Sequence, residues 1–224
     1  MAVEKVFWKD PYLTELTARV TGVEGDVVTL DRTVFFADSG GQESDSGSIG
    51  GFRVLDARKE DMEIRYTLAG PHDLKPGREV RIRIDWDRRY ALMRHHFAAE
   101  IVLELVYQRF GPVNKIGAHI STDKARLDFS WEGNISREFP ELLEAARRVI
   151  ASDLPVTSAY SDEQRERRYW EVPGFARVSC GGTHIRSTGE VGDILLKRRN
   201  IGKGKERIEV TVGGASGAGG TGRA

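Results

Sequence analysis

The chain has 224 residues, enough to bury a sizeable core in one or two domains. Lysine plus arginine and aspartate plus glutamate each number 34, so the formal net charge is zero, and any contact with nucleic acid has to rest on local patches. A single cysteine excludes an internal disulfide and fits a reducing compartment; no apolar run approaches membrane-spanning length, and the start, with Glu4, Lys5, Lys9 and Asp10, is too charged for a signal peptide. The expectation is a soluble, cytoplasmic protein.

Residues 16 to 84 read as short strands. Ala18 to Val23 alternates, Glu24, Gly25 and Asp26 turn, and Val27 to Leu30 returns. Thr33 to Phe36, Phe52 to Ala57 and Met62 to Leu68 follow, and Glu79 to Ile84 has a clean period of two. Such strands joined by glycine turns predict a small β-barrel ending near Asp85. Inside this region Gly40-Gly41-Gln42 and Asp45-Ser46-Gly47-Ser48-Ile49 form a glycine-rich connection.

From Trp86 to Phe110 there is no glycine or proline, which predicts a long helix capped by Asp85 or Asp87 and ended by Gly111 and Pro112. His96 and Glu100 lie four residues apart on one face of it, while His95 points elsewhere, to the surface or behind the site. Arg126 to Trp131 alternates as a strand, with His119 just before it. Pro140 to Ser152 predicts a second helix with Leu142, Leu143, Ala146, Val149 and Ile150 facing inward. Ser161 to Gln164 looks like the capped start of a third, short helix. Phe175 to Val178 leads as a strand into Ser179-Cys180-Gly181-Gly182-Thr183-His184. Ile194 to Lys197 and Arg207 to Val212 read as paired strands, joined by a turn rich in Lys197, Arg198, Arg199, Lys203 and Lys205. Those cations make it the best local candidate for phosphate contact. The expected architecture is α+β: a β-barrel over residues 1–85, helices packed on an antiparallel sheet over 86–212, and a disordered Gly/Ala/Ser-rich tail over 213–224.

Thiolate and imidazole together favour zinc or a similar transition metal. The glycines between Cys180 and His184 let both side chains turn to one point, and His96 with Glu100 supplies a helical pair. His96, Glu100, Cys180 and His184 are therefore the candidate ligands, with His119 as a substitute for one of them.

The stretches Arg94-His95-His96-Phe97-Ala98-Ala99-Glu100 and Cys180-Gly181-Gly182-Thr183-His184 resemble the second domain of alanyl-tRNA editing proteins, the AlaX family, which is similar to the editing domain of alanyl-tRNA synthetase. Gly40-Gly41-Gln42 and Asp45-Ser46-Gly47-Ser48-Ile49 match the longer, two-domain form. The family usually carries histidine where this chain has Glu100; a carboxylate is an acceptable zinc ligand, and off the metal it becomes a candidate general base. The resemblance implies one Zn2+ per chain and a free-standing hydrolase that deacylates mischarged alanine tRNA, Ser-tRNA(Ala) or Gly-tRNA(Ala). Gln42 and Glu100 are the candidate catalytic residues, and Gly40, Gly41 and Arg94, with the cations Arg198, Arg199, Lys203 and Lys205 of the late turn, are the candidates for tRNA contact. Editing of a different aminoacyl-tRNA, a tRNA-binding module without catalysis, and a zinc hydrolase for small esters are the alternatives. Monomer and homodimer both fit.

Overall fold

The computed structural model describes residues 2–213. It is a mixed α/β fold with antiparallel sheets and few helices. The expected tail lies outside the described residues except for Gly213, which is held: its N–H donates to the Asp193 carbonyl and its own carbonyl accepts from Arg94.

The strands of the first part are β1 (Glu4–Lys5), β2 (Glu15–Glu24), β3 (Val27–Leu30), β4 (Arg32–Thr33), β5 (Gly47–Ile49), β6 (Phe52–Glu60), β7 (Glu63–Leu68) and β8 (Glu79–Ile84). β1 and β4 form a small parallel pair. The other six pair in the order β2-β3-β7-β6-β5-β8, and β8 pairs back onto β2, so the circuit closes. Alternation drives it: Val80, Ile82 and Ile84 turn inward from β8, and Ile64, Tyr66 and Leu68 from β7, while the residues between them face out. β5 lies inside what reads in sequence as a plain loop. It fits against β8 because residue 47 is glycine; a Cβ there would come within 2.0 Å of the Arg83 carbonyl oxygen. The expected strand from Thr33 to Phe36 is instead a buried irregular segment after Thr33.

The second part contains α1 (Trp86–Phe110), β9 (Lys115–Ile120), β10 (Ala125–Ser130), α2 (Phe139–Ala151), β11 (Thr157–Asp162), β12 (Arg167–Val172), β13 (Ala176–Ser179), β14 (Ile194–Gly202) and β15 (Lys205–Val212). The Asp85 carboxylate accepts the Arg88 N–H and caps α1; Gly111, at φ 75°, ends it. α1 packs on a four-stranded antiparallel sheet ordered β14-β15-β10-β9, and α2 adds Leu142, Ala146 and Ile150 to the same core. A separate three-stranded sheet, β11-β12-β13, carries the chain into the cysteine loop. The predicted third helix at Ser161 to Gln164 does not form: Ser161 and Asp162 end β11, and residues 163–166 make the hairpin turn to β12. Asp162 accepts the Arg165 N–H, and Glu166 adopts φ 52°, which a helix does not permit.

Apolar side chains gather in two clusters, one spanning Val3 to Ile84 and the other Met93 to Val210. Polar links join them at several points. Arg89 of α1, fully buried, grips Asp45 through both carboxylate oxygens at 2.9 and 2.5 Å and also donates to the carbonyls of Pro11 and Val34. The Gly40-Gly41-Gln42 loop lies along β9: Ile120 donates its N–H to Gly41, and Glu43 donates to Ile120. No helix among the described residues is long and apolar enough to cross a membrane.

Candidate metal centre

The fold brings the distant helix and the late glycine loop to one point. Potential ligand atoms of His96, Cys180 and His184 all lie within 4.8 Å of one another, the one such cluster among the described residues. α1 supplies His96 from its buried face, and β13 delivers Cys180, whose N–H donates to the Arg168 carbonyl. The approach is close: a Cβ on Gly182 would sit 2.1 Å from His96 Cε1 and 2.8 Å from Gln42 Oε1, so position 182 tolerates only glycine.

His184 is buried, its ring centroid 5.0 Å from that of His96. Its Nδ1 lies 2.9 Å from the Ser158 hydroxyl, while its Nε2 is buried without a partner. An orphaned imidazole nitrogen facing a thiol and a second imidazole fits a soft or borderline metal ion, which would complete it. The electrostatics agree. Burial, joined by positive charge on His96, takes His184 down to about 3 and keeps it neutral, as a ligand must be. At His96 burial also opposes protonation, but negative charge at Cys180 and Glu100 outweighs it and pushes the imidazole up to about 10. The centre therefore favours a cation, and a metal ion would replace the His96 proton.

Glu100 stands just outside the cluster. Its Oε1 is 3.3 Å from His96 Nε2, and its Oε2 accepts the Trp170 indole N–H at 3.2 Å. Burial alone would raise its pKa; the hydrogen bond and charge of His96 take it down to about 2 instead. It is a held carboxylate rather than a member of the three-residue group.

Other expected site residues fall differently. Gln42 is buried and donates to Thr183 Oγ1 at 2.9 Å, while its carbonyl oxygen accepts the Thr183 N–H at 3.1 Å. Both ends of its amide bond Thr183, which pins the cysteine loop. Gly40 and Gly41 make the turn that precedes it, both with positive φ. Arg94 is buried and donates to the carbonyls of Glu190, Val191 and Gly213, so it offers no face to tRNA. His95 is buried, not at the surface; its Nδ1 sits 2.9 Å from the Ala91 carbonyl. His119 pairs with Glu43 and is not drawn into the centre. On the β14–β15 hairpin, Arg198 forms a two-point pair with Glu206 and Arg199 reaches Glu209, which leaves Lys197, Lys203 and Lys205 as its exposed cations without an ion pair.

The sequence does not single out Ser158, Trp170 or Trp8, whose indole N–H donates to the Gly181 carbonyl at 2.7 Å. None carries a local signal, because each acts through a partner far away in the chain.

Residues 173–209 match the family model of the threonyl and alanyl tRNA synthetase second additional domain, and residues 4–88 match that of class II (A) tRNA synthetases. Fold and centre thus define a protein of the class that carries this additional domain. The chain is 32% identical over 210 residues to the alanyl-tRNA editing protein AlaX-M of Pyrococcus horikoshii, a match covering 92% of this chain and 96% of that one. It is 33% identical over 235 residues to the AlaX-M protein of Saccharolobus solfataricus, covering 93% and 98%. It is also 36% identical over 236 residues to the alanine–tRNA ligase of Pyrococcus abyssi, but covers only 26% of that enzyme's length. The chain belongs to the alanyl-tRNA editing proteins of the AlaX-M type.

Proposed function

We propose that this protein is a trans-editing deacylase that hydrolyses alanine tRNA mischarged with serine or glycine, in the cytoplasm, as part of translation fidelity. The reading is carried by the convergence of His96, Cys180 and His184 in a chain aligned to AlaX-M proteins over nearly its full length. In the reaction, water adds to the ester carbonyl and the bond to the ribose oxygen breaks, which releases the amino acid and the free tRNA hydroxyl.

His96, Cys180 and His184 would hold one Zn2+. Three protein ligands are the usual number for a zinc site that keeps a position open. Bound there, the metal would supply a Lewis acid that polarises the ester or acidifies a water. Glu100 serves on this reading as a carboxylate beside the centre: its Oε1 touches the same His96 nitrogen that faces Cys180, and Trp170 holds its other oxygen, so it stabilises positive charge there whether or not it joins the ligands. Gln42 acts by positioning the cysteine loop. The two parts of the chain read as two domains meeting near residue 85, the closed six-strand circuit being the small barrel expected of the first. Lys197, Lys203 and Lys205 take the phosphate-contact role, with Arg198 and Arg199 stiffening the hairpin beneath them.

The test is a deacylation assay on Ser-tRNA(Ala) with metal analysis of the same protein. The wild type is expected to carry one zinc per chain and to release serine, and Cys180→Ala to lose both, with a rate loss on the order of 10³-fold. A protein that binds tRNA(Ala) and leaves the ester intact would make it a binding module instead.

A further inference from the structure

A cavity of about 410 Å3 opens beside the metal centre, between the segment after β1 and the cysteine loop, with Trp8, Ser158, Arg168, Thr183 and His184 among its walls. Its volume falls in the range of small-molecule sites, roughly 300–1,000 Å3. Arg168 is the unusual member. It occupies an inward position of β12, alternating with Trp170 and Val172, where the pattern calls for an apolar side chain, and it keeps only 5% of its surface exposed. Its guanidinium lies 5.3 Å from the Trp8 ring and 5.0 Å from the Tyr160 ring, and it makes one hydrogen bond, from Nη1 to the Trp8 carbonyl at 3.2 Å.

No carboxylate among the described residues pairs with Arg168. Glu166 holds Lys5 and Lys59, and Asp10, on the cavity rim, accepts from the Tyr12 N–H and from Arg186. Lys9 and Arg186 add two further exposed cations to the rim. Its other N–H groups are not sealed in the interior, and Arg168 lines the cavity, where an anion could complete them. Planar, two-point recognition by such a fork suits a phosphate.

We propose that this cavity is a phosphate-ester site, and that it seats the phosphate of the substrate's terminal nucleotide on Arg168 while the ester reaches the metal centre past His184. The assignment of that phosphate to tRNA rests on the editing reading above; the anion site itself does not. Arg168 is a binding residue here, and aromatic contact with Trp8 and Tyr160 holds its plane in place.

The experiment is calorimetric titration of the intact protein with adenosine 5′-monophosphate, adenosine, inorganic phosphate and free serine. Adenosine 5′-monophosphate is expected to bind at least about tenfold more tightly than adenosine, inorganic phosphate to compete with it, and Arg168→Met to remove that advantage, with Arg168→Lys intermediate. Val156→Phe narrows the cavity from a partly exposed position without touching the arginine; it is expected to weaken the nucleotide to a similar degree, and it decides the matter should Arg168→Met fail to fold. Equal binding of nucleotide and nucleoside, an unchanged affinity in a folded Arg168→Met, or capture of serine in place of the nucleotide would each overturn the proposal. Nucleotide binding that depends on Arg168 in a protein that leaves Ser-tRNA(Ala) intact would keep this site and remove the editing reading. Hydrolysis without that dependence would do the reverse.

Discussion

The two diglycine loops, Gly40-Gly41-Gln42 and Gly181-Gly182-Thr183, carry similar sequences and use their polar atoms in opposite ways. In the first, Gln42 is bound to Thr183, Glu43 to His119 and Arg88, and Asp45 to Arg89 and the Phe36 N–H. In the second, Thr183 is likewise held, but His184 keeps a buried nitrogen with no partner and Cys180 faces His96 at 3.5 Å. The second loop holds two of the three candidate ligands, and the first braces it through Gln42.

Substitutions sharpen that contrast. Asp45→Ala should have the largest effect on stability, since it strands Arg89 in the interior with both side chains wholly buried; a loss of about 3–5 kcal/mol is expected. Chemical denaturation measures it, and a loss below 1 kcal/mol would mean that water reaches Arg89. Gly182→Ala should come next. The new methyl group collides with the His96 ring, and zinc affinity should fall roughly 10–100-fold, read by competition with a chromogenic chelator. Unchanged affinity would place His96 off the metal. Gln42→Ala should be mildest, costing about 1 kcal/mol because the space it vacates admits a water to the Thr183 N–H. Its zinc content should stay intact. If instead kcat collapses while the melting temperature holds, the brace interpretation fails and the amide touches substrate.

Much of this was legible in the chain. The 25-residue helix from Trp86 to Phe110 announces itself by its uninterrupted run and its capping aspartate, and the His96, Cys180 and His184 grouping by ligand chemistry. What escaped was everything that depends on register. Arg198 and Arg199 look like free cations along the chain, yet the antiparallel pairing of β14 with β15 sets Glu206 and Glu209 within their reach. Ser161 to Gln164 has the spacing of a helix cap, but the alternation of Arg168, Trp170 and Val172 after it decides for a hairpin. Arg94 and Gln42 look like contact residues in the sequence because they are polar and sit in a motif; only the fold shows both side chains buried and bonded within the protein.

The strip of backbone between Gly41 and Glu43 lies along the outer strand β9, trading hydrogen bonds with Ile120. Open strand borders recruit other chains, and here the border is sealed by a segment from the far end of the sequence. A shortened protein beginning at residue 86 would therefore lose its seal at Ile120 and its counter-ion at Arg89 together. Cutting the part that holds His96, Cys180 and His184 free would call for a charged or proline-bearing replacement along that strand and a neutral side chain at position 89, or the fragment would stack on its own copies.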